Sequence, residues 1–297
     1  MATADNHYWN RIGHIRIQGG DGNMYSFGED SESLDFKFSV EKKAGDIYTD
    51  FTVSILGLTA ESINFLTAWD KAKSMITARR IEVYAGYESD GKAPLIARGY
   101  VLSAIPTEPP EMWVNMECRN IFREQAELVT EQTVFHGKEK TTKALFFNDV
   151  CECLGYEPRL PEWFKKGMND PVTIVPFVCD KTELLKQASA ITGWQIVLDG
   201  NVATAFPSES WLVCPKAKNL MPTISVETGM IGISNVTIQG MKVKCRLNDQ
   251  FQINTWVKVV SVLMPKVSGM YYIVHKRTIG HLRGDDWFTE LDLLRAQ

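Results

Sequence analysis

The chain has 297 residues, 44% of them hydrophobic and 23% charged, with a formal net charge of −4. That is enough length for two or three cores of ordinary globular composition, and it excludes a disordered chain. The acidic balance excludes a dedicated nucleic-acid binder, which would carry a basic field or stripe.

Residues Met1 to Asn10 lack an apolar core and read as no signal peptide, and Val257 to Met264 is too short to span a bilayer. Synthesis and folding are therefore expected in the cytoplasm.

From Ile12 to Cys118 the chain reads as strands broken by one helix. Leu34, Phe36, Phe38 and Val40 alternate with Asp35, Lys37, Ser39 and Glu41, and the period returns in Thr52 to Ile55 and at Ile81, Val83 and Ala85. Between them, Thr59 is placed to cap a helix with Glu61 in its first turn. Leu58 and Ile63 can staple it, and Lys71 and Lys73 suit its end. Strands Arg80 to Tyr87, Leu95 to Ala104 and Met112 to Cys118 follow, with a break at Pro106 to Pro110. Gly19-Gly20-Asp21-Gly22 sits between two strands, so it reads as a hairpin and not as a phosphate loop.

The character changes between Arg119 and Met221. Thr141 or Thr142 can cap a helix through Leu145, Phe146, Val150 and Leu154, stopped by Gly155 and Pro158. Asp180 and Glu183 open a second helix, Lys181 to Thr192, stopped by Gly193. Asp199-Gly200-Asn201 then joins Trp194 to Leu198 with Val202 to Phe206 as a hairpin. This is a small α/β module between two β-rich ends.

The last segment, Ile224 to Leu294, carries the most specific pattern. Met241, Val243, Cys245 and Leu247 alternate with Lys242, Lys244 and Arg246, one apolar face against one cationic face. Around that strand run Glu227-Thr228-Gly229-Met230-Ile231-Gly232-Ile233, Gly269-Met270-Tyr271-Tyr272-Ile273-Val274-His275 and Gly284-Asp285-Asp286-Trp287-Phe288. In this order the segment resembles the baseplate hub proteins of contractile-tailed phages. Ser234, Asp249 and Asn254 depart from the family pattern, the first two at proline positions and the third at a glycine.

The resemblance implies a mainly β fold with an α/β insertion, in which two tail-tube-like β-barrels flank the small module. The barrels are expected in residues 1–118 and 223–297 and the module in 119–222, with the strand near 129–135 assigned either to the module or to the last barrel. It further implies a homotrimer in the virion tail baseplate, adapting a six-fold tail tube above to a three-fold spike below, with tape measure and wedge proteins as neighbours. DNA passes through such a ring without specific binding.

No catalytic, cofactor-binding or metal constellation accompanies this pattern. Cys118, Cys151, Cys153, Cys179, Cys214 and Cys245 have no paired metal spacing and read as buried thiols, not as an iron-sulfur set. His7, His14, His275, Asp285, Asp286, Glu108 and Glu111 form no nucleophile or acid pair. Trp113, Trp163, Trp194, Trp211 and Trp287 read as core or subunit anchors.

The candidate contact is the connection from Glu41 to Asp50. In tube-like modules this hairpin reaches the neighbouring ring, so Lys42, Lys43, Asp46, Ile47 and Tyr48 are its expected contact residues. A carbohydrate- or host-binding β module and a cell-wall hydrolase are the competing readings.

Overall fold

The computed structural model describes residues 10–19, 22–28, 34–67, 69–70, 75–76, 79–121, 132–135, 140–161, 167–174, 177–199, 202–207 and 221–295. The N-terminal segment holds β1 (Arg11–Gln18), β2 (Met24–Phe27), β3 (Asp35–Lys43), β4 (Asp50–Leu56), α1 (Ala60–Leu66), β5 (Trp69–Asp70), β6 (Met75–Ile76), β7 (Arg80–Tyr87), β8 (Leu95–Pro106) and β9 (Trp113–Arg119). The middle holds β10 (Gln132–Phe135), β11 (Lys140–Thr142), α2 (Lys143–Leu154), β12 (Glu157–Arg159), β13 (Pro171–Thr173), β14 (Phe177–Asp180), α3 (Lys181–Thr192), β15 (Trp194–Asp199) and β16 (Val202–Pro207). The C-terminal segment holds β17 (Thr223–Ile224), β18 (Met230–Val236), β19 (Gly240–Arg246), β20 (Trp256–Val259), β21 (Gly269–His281) and β22 (Trp287–Arg295).

The fold is mainly β with a few helices, as the alternation predicts. On β3, Phe36, Phe38 and Val40 are buried while Lys37 and Lys43 are exposed. On β19, Met241, Val243 and Cys245 are buried beneath half-exposed Lys242, Lys244 and Arg246. Alternation places one set of side chains on each face, so burying the apolar set leaves the other to water.

Strands from both ends of the chain join in one 13-stranded sheet, ordered β18-β19-β22-β21-β3-β4-β9-β8-β7-β1-β2, with β20 and β17 branching from β21. No closed barrel is found among the described residues. The two expected barrels appear as one continuous open sheet, because one edge of the long β21 has two partners in succession. Its residues Gly269 to Tyr272 pair with β20 and its residues His275 to His281 pair with β3. A register shift against β22 falls between Ile273 and His275, where the partner changes.

A repeat invisible at the level of letters is present in the pairing. The N-terminal strands run β3-β4-β9-β8-β7 and the C-terminal strands β18-β19-β22-β21-β20, every neighbouring pair antiparallel. Each half is an opening hairpin onto which the last strand folds back. Helix α1 lies between β4 and β7, whereas no helix is found between β19 and β20.

The helix ends behave as their capping residues dictate. The Thr59, Thr142 and Asp180 side chains accept hydrogen bonds from the backbone N–H of Ser62, Leu145 and Glu183, contacts worth about 1 kcal/mol each. Gly155 and Gly193 take left-handed conformations at the C-caps of α2 and α3. Helix α1 ends at Leu66, and Lys71 and Lys73 lie outside the described residues. Leu58 and Ile63 both pack on the N-terminal core.

Two points that the sequence leaves open are visible in the fold. The strand Gln132–Phe135 pairs with β14 and is not lent to the last sheet segment; buried Phe135 meets Phe146 of α2 in an edge-on ring contact, which holds it in the middle module. At Asn254, where the family pattern has glycine, the left-handed conformation is kept with φ 60. Asparagine tolerates it, and its Oδ1 accepts the Tyr272 hydroxyl at 3.1 Å.

Three cores underlie the sheet and the module. Phe36, Val53, Ile81 and Val114 anchor the first, Phe146, Phe147, Leu184 and Ile196 the second, and Val243, Val257, Ile273 and Leu291 the third. They interlock. Trp287 of the last strand enters the first core, and Val197 and Phe206 of the middle hairpin enter the third.

Candidate functional site

The connection between β3 and β4 has two sides. Lys43 and Asp46 face solvent, and Lys43 pairs with Glu41 at 3.0 Å. Lys42 is buried within β3, opposite the equally buried Lys276 of β21. Ile47 and Tyr48 turn inward and pack against the middle core. Backbone bonds fix them: Leu198 N–H donates to Ile47 O at 3.2 Å, and Asn120 N–H donates to Thr49 O at 2.9 Å. The Asn120 side chain returns to Leu198 O at 3.1 Å, and burial pushes the Tyr48 phenol up. Of the expected contact residues, Ile47 and Tyr48 are thus packed within the chain, whereas Lys43 and Asp46 are exposed.

Where β21 meets β3, two histidines bridge the seam. The His275 ring nitrogens lie 2.9 Å from Glu41 Oε1 and 3.0 Å from Asp292 Oδ2, and Lys242 reaches Asp292 Oδ1 at 3.3 Å. The hydrogen-bonded Lys43 holds the Glu41 carboxyl below its usual range. Six residues along, His281 Nε2 is 2.7 Å from Asp35 Oδ2, with the Trp113 ring edge-on to its imidazole. His275 thus meets Glu41 and Asp292; Asp285 and Asp286 lie in the β21–β22 turn, where Asp286 O accepts the His281 N–H.

The sheet also has open edges. Strand β18 is the last in its direction, with Ile231 and Val236 exposed, and β7 covers β8 only as far as Tyr100. Beyond that point Leu102 and Ile105 are exposed, and no strand pairs with this edge among the described residues. The sequence signal for this was available: Val101 to Ile105 carries apolar residues at positions of both parities, which a half-buried strand does not need.

Cys118, Cys151 and Cys245 are buried, and burial pushes the Cys151 and Cys245 thiols up to about 12 and Cys118 also upward. Such thiols stay protonated and inert. Cys153 is exposed and Cys179 half-buried, contrary to the expectation of uniformly buried thiols, while Cys214 lies outside the described residues. No group of three or more His, Cys, Asp or Glu is disposed to hold a metal among the described residues.

His14 stacks on Tyr84, Glu108 and Glu111 are exposed, and His7, Trp163 and Trp211 lie outside the described residues. Trp194 and Trp287 are buried and Trp113 half-buried beneath Lys37. No helix among the described residues is long and apolar enough to cross a membrane.

Comparison with known proteins supports the same architecture. A tail protein from Neisseria meningitidis superposes with TM-score 0.58 at 9% identity, covering 95% of this chain and 96% of that one. The 43 kDa tail protein of prophage MuSo2 from Shewanella oneidensis gives 0.54 at 10% identity, covering 95% and 98%. The E. coli c3393 protein gives 0.55 at 9% identity, covering 95% and 77%; it is described as a type VI secretion component structurally similar to the T4 tail proteins gp27 and gp5. At these identities the likeness is one of fold. No curated protein matches by sequence. Residues 20–279 match the family described as Baseplate hub gp41, and a match over most of the chain makes this a member of that family, with a structural role in the phage tail baseplate.

Proposed function

We propose that the chain assembles as a homotrimer that adapts a six-fold tail tube to a three-fold spike in a contractile tail and surrounds a channel for DNA. The observation that carries this reading is the repeated strand order of the two ends. Three copies of two similar halves present six similar units, and each chain already contains one junction between unlike halves, the pairing of β21 with β3.

The same repeat predicts the junction between chains. Strand β8 corresponds to β21 and β18 to β3, so the open edge from Leu102 to Pro106, beyond the Val101 N–H that donates to Arg79 O, is the counterpart of the β21 edge that receives β3. Pairing that edge with β18 of the next copy is a heterologous contact, and three such contacts close a ring. It would also cover exposed Leu102 and Ile105 and two otherwise open edges. In this reading Lys43 and Asp46 face the adjoining ring of the tail, with Ile47 and Tyr48 as the anchor that holds their loop.

Cysteine cross-linking tests the junction. With Cys153→Ser as background, Leu102→Cys combined with Val236→Cys should give an oxidised ladder that stops at three chains. Absence of cross-links, or a ladder with no end, would remove the proposed ring. Dye release from labelled peptidoglycan separates the hydrolase alternative, and glycan arrays the sugar-binding one.

A further inference from the structure

A hollow of about 390 Å³ lies between the β15–β16 hairpin of the middle module and the connection that enters β20. Alternation puts Val202, Thr204 and Phe206 on the face of β16 that lines it, while Ala203 and Ala205 on the other face belong to the middle core. Across the strands Arg159 of β12 stands opposite Thr204, and Thr204 opposite Val197 of β15, so a cation, a hydroxyl and an apolar side chain share one row. Ile253 and Lys42 of β3 complete the lining.

Lys42 is the unusual member. It is 8% exposed, and Lys276, directly opposite it on β21, is 6% exposed. Like charges facing each other across strands repel, and a buried ammonium costs free energy unless its surroundings satisfy it. Lys42 also lines a second hollow of about 20 Å³, shared with Lys276 and Asp249, which has room for about one water. Both lysines have contacts within the chain, yet the local balance is positive. Among the described residues that line the two hollows, Lys42, Lys276 and Arg159 are set against Asp249 as the single carboxylate.

We propose that the larger hollow is a binding site for a small amphipathic carboxylate, with its apolar body among Val197, Val202, Phe206 and Ile253 and its head between Lys42 and Arg159. The volume falls in the range of roughly 300–1,000 Å³ usual for ligand pockets, whose walls are mostly apolar with a few placed polar groups. A guanidinium fork matches the plane of a carboxylate, and a buried ammonium adds a charge-assisted hydrogen bond. A bare inorganic anion would gain nothing from the apolar walls, and an uncharged body would gain nothing from the two cations. The lining comes from the N-terminal, middle and C-terminal segments alike, so a bound ligand would tie the module to both ends and favour the folded form.

The test is calorimetric titration of the whole chain with octanoate, and with 1-octanol and acetate as probes of body and head alone. Octanoate should bind at one site per chain, and neither of the other two should bind. Lys42→Met keeps the stem of the side chain and removes its charge; it should weaken octanoate at least about tenfold. Thr204→Phe fills the hollow without touching a charge and should abolish binding. Lys258→Met, at an exposed position on β20 outside the hollow, should bind as wild type.

No heat with octanoate, equal binding of 1-octanol, or wild-type affinity in Lys42→Met or Thr204→Phe would each overturn the proposal. Arg159→Gln covers the case of a poorly folding Lys42 variant, since Arg159 is exposed, and should weaken octanoate about two- to fivefold. The hollow lies within one chain. Failure here therefore leaves the hub reading intact, and a chain that closes no ring leaves this site untouched.

Discussion

His275 and Glu41 stand 234 residues apart in sequence and 2.9 Å apart in space. Their contact ties β21 to β3, the only pairing in the ordered path of the sheet that joins strands from opposite ends of the chain among the described residues. Around it, Lys43, Asp292 and Lys242 continue the alternation of charge across four strands.

Trp287 tests the coupling of the two ends. It is 4% exposed, edge-on to Phe38 at 5.8 Å, and belongs to the N-terminal core although it opens the last strand. Trp287→Ala should cost about 3–5 kcal/mol through the cavity left behind. Urea denaturation measures it, and wild-type stability would mean that the tryptophan is not a core anchor.

The inward turn of Ile47 and Tyr48 reverses the outcome expected from a purely solvated loop. Replacing both by serine should destabilise the chain by about 2–4 kcal/mol, because two packed apolar groups are lost from the edge of the middle core. A melting curve decides it. Replacing Lys43 and Asp46 by alanine should leave that curve within about 0.5 kcal/mol of wild type.

Glu82 makes stability depend on acid. Burial alone would raise its carboxyl, but Tyr84, Arg98 and Arg80 outweigh burial and hold it below the usual range. Both arginines lie 2.9 Å from its Oε1. A depressed carboxyl stabilises the fold above its unfolded value, about 4.3, and that contribution is lost as pH falls through the lower folded value. Glu82→Gln should lower stability at neutral pH by about 1–3 kcal/mol, through the charge-assisted hydrogen bonds it loses, and flatten the acid limb of a stability-against-pH curve. An unchanged acid limb would separate Glu82 from it.

Gly240 tests close approach of backbones. A Cβ built there falls 1.8 Å from Leu293 O, a distance that side-chain rotation cannot relieve. Gly240→Ala should thus break the β19–β22 pairing locally and cost about 2 kcal/mol or more. Hydrogen exchange at Met241 and Leu293 reads it directly, and unaltered protection would mean that the strands can part without penalty.

The sequence by itself determined what local periodicity and end chemistry can determine. Alternation along β3 and β19 assigned the buried face, and Thr59, Asp180 and one of the pair Thr141 and Thr142 set the helix starts, since a strand face repeats every two residues and a cap acts within three; the structure chose Thr142. The order of turns in Ile224 to Leu294 was sufficient to indicate the family. Only the tertiary structure decided that both ends share one sheet, that Gln132–Phe135 stays with the middle module, and that Ile47 and Tyr48 face inward. It also decided that Lys43 is held by Glu41 and Lys37 by the Trp113 ring. Those outcomes depend on partners tens to hundreds of residues away, such as Glu41 for His275 or Asp90 for Arg246. Pairing across a sheet leaves no periodic trace in either strand, because any polar side chain satisfies the pattern while only one neighbour in space completes the contact.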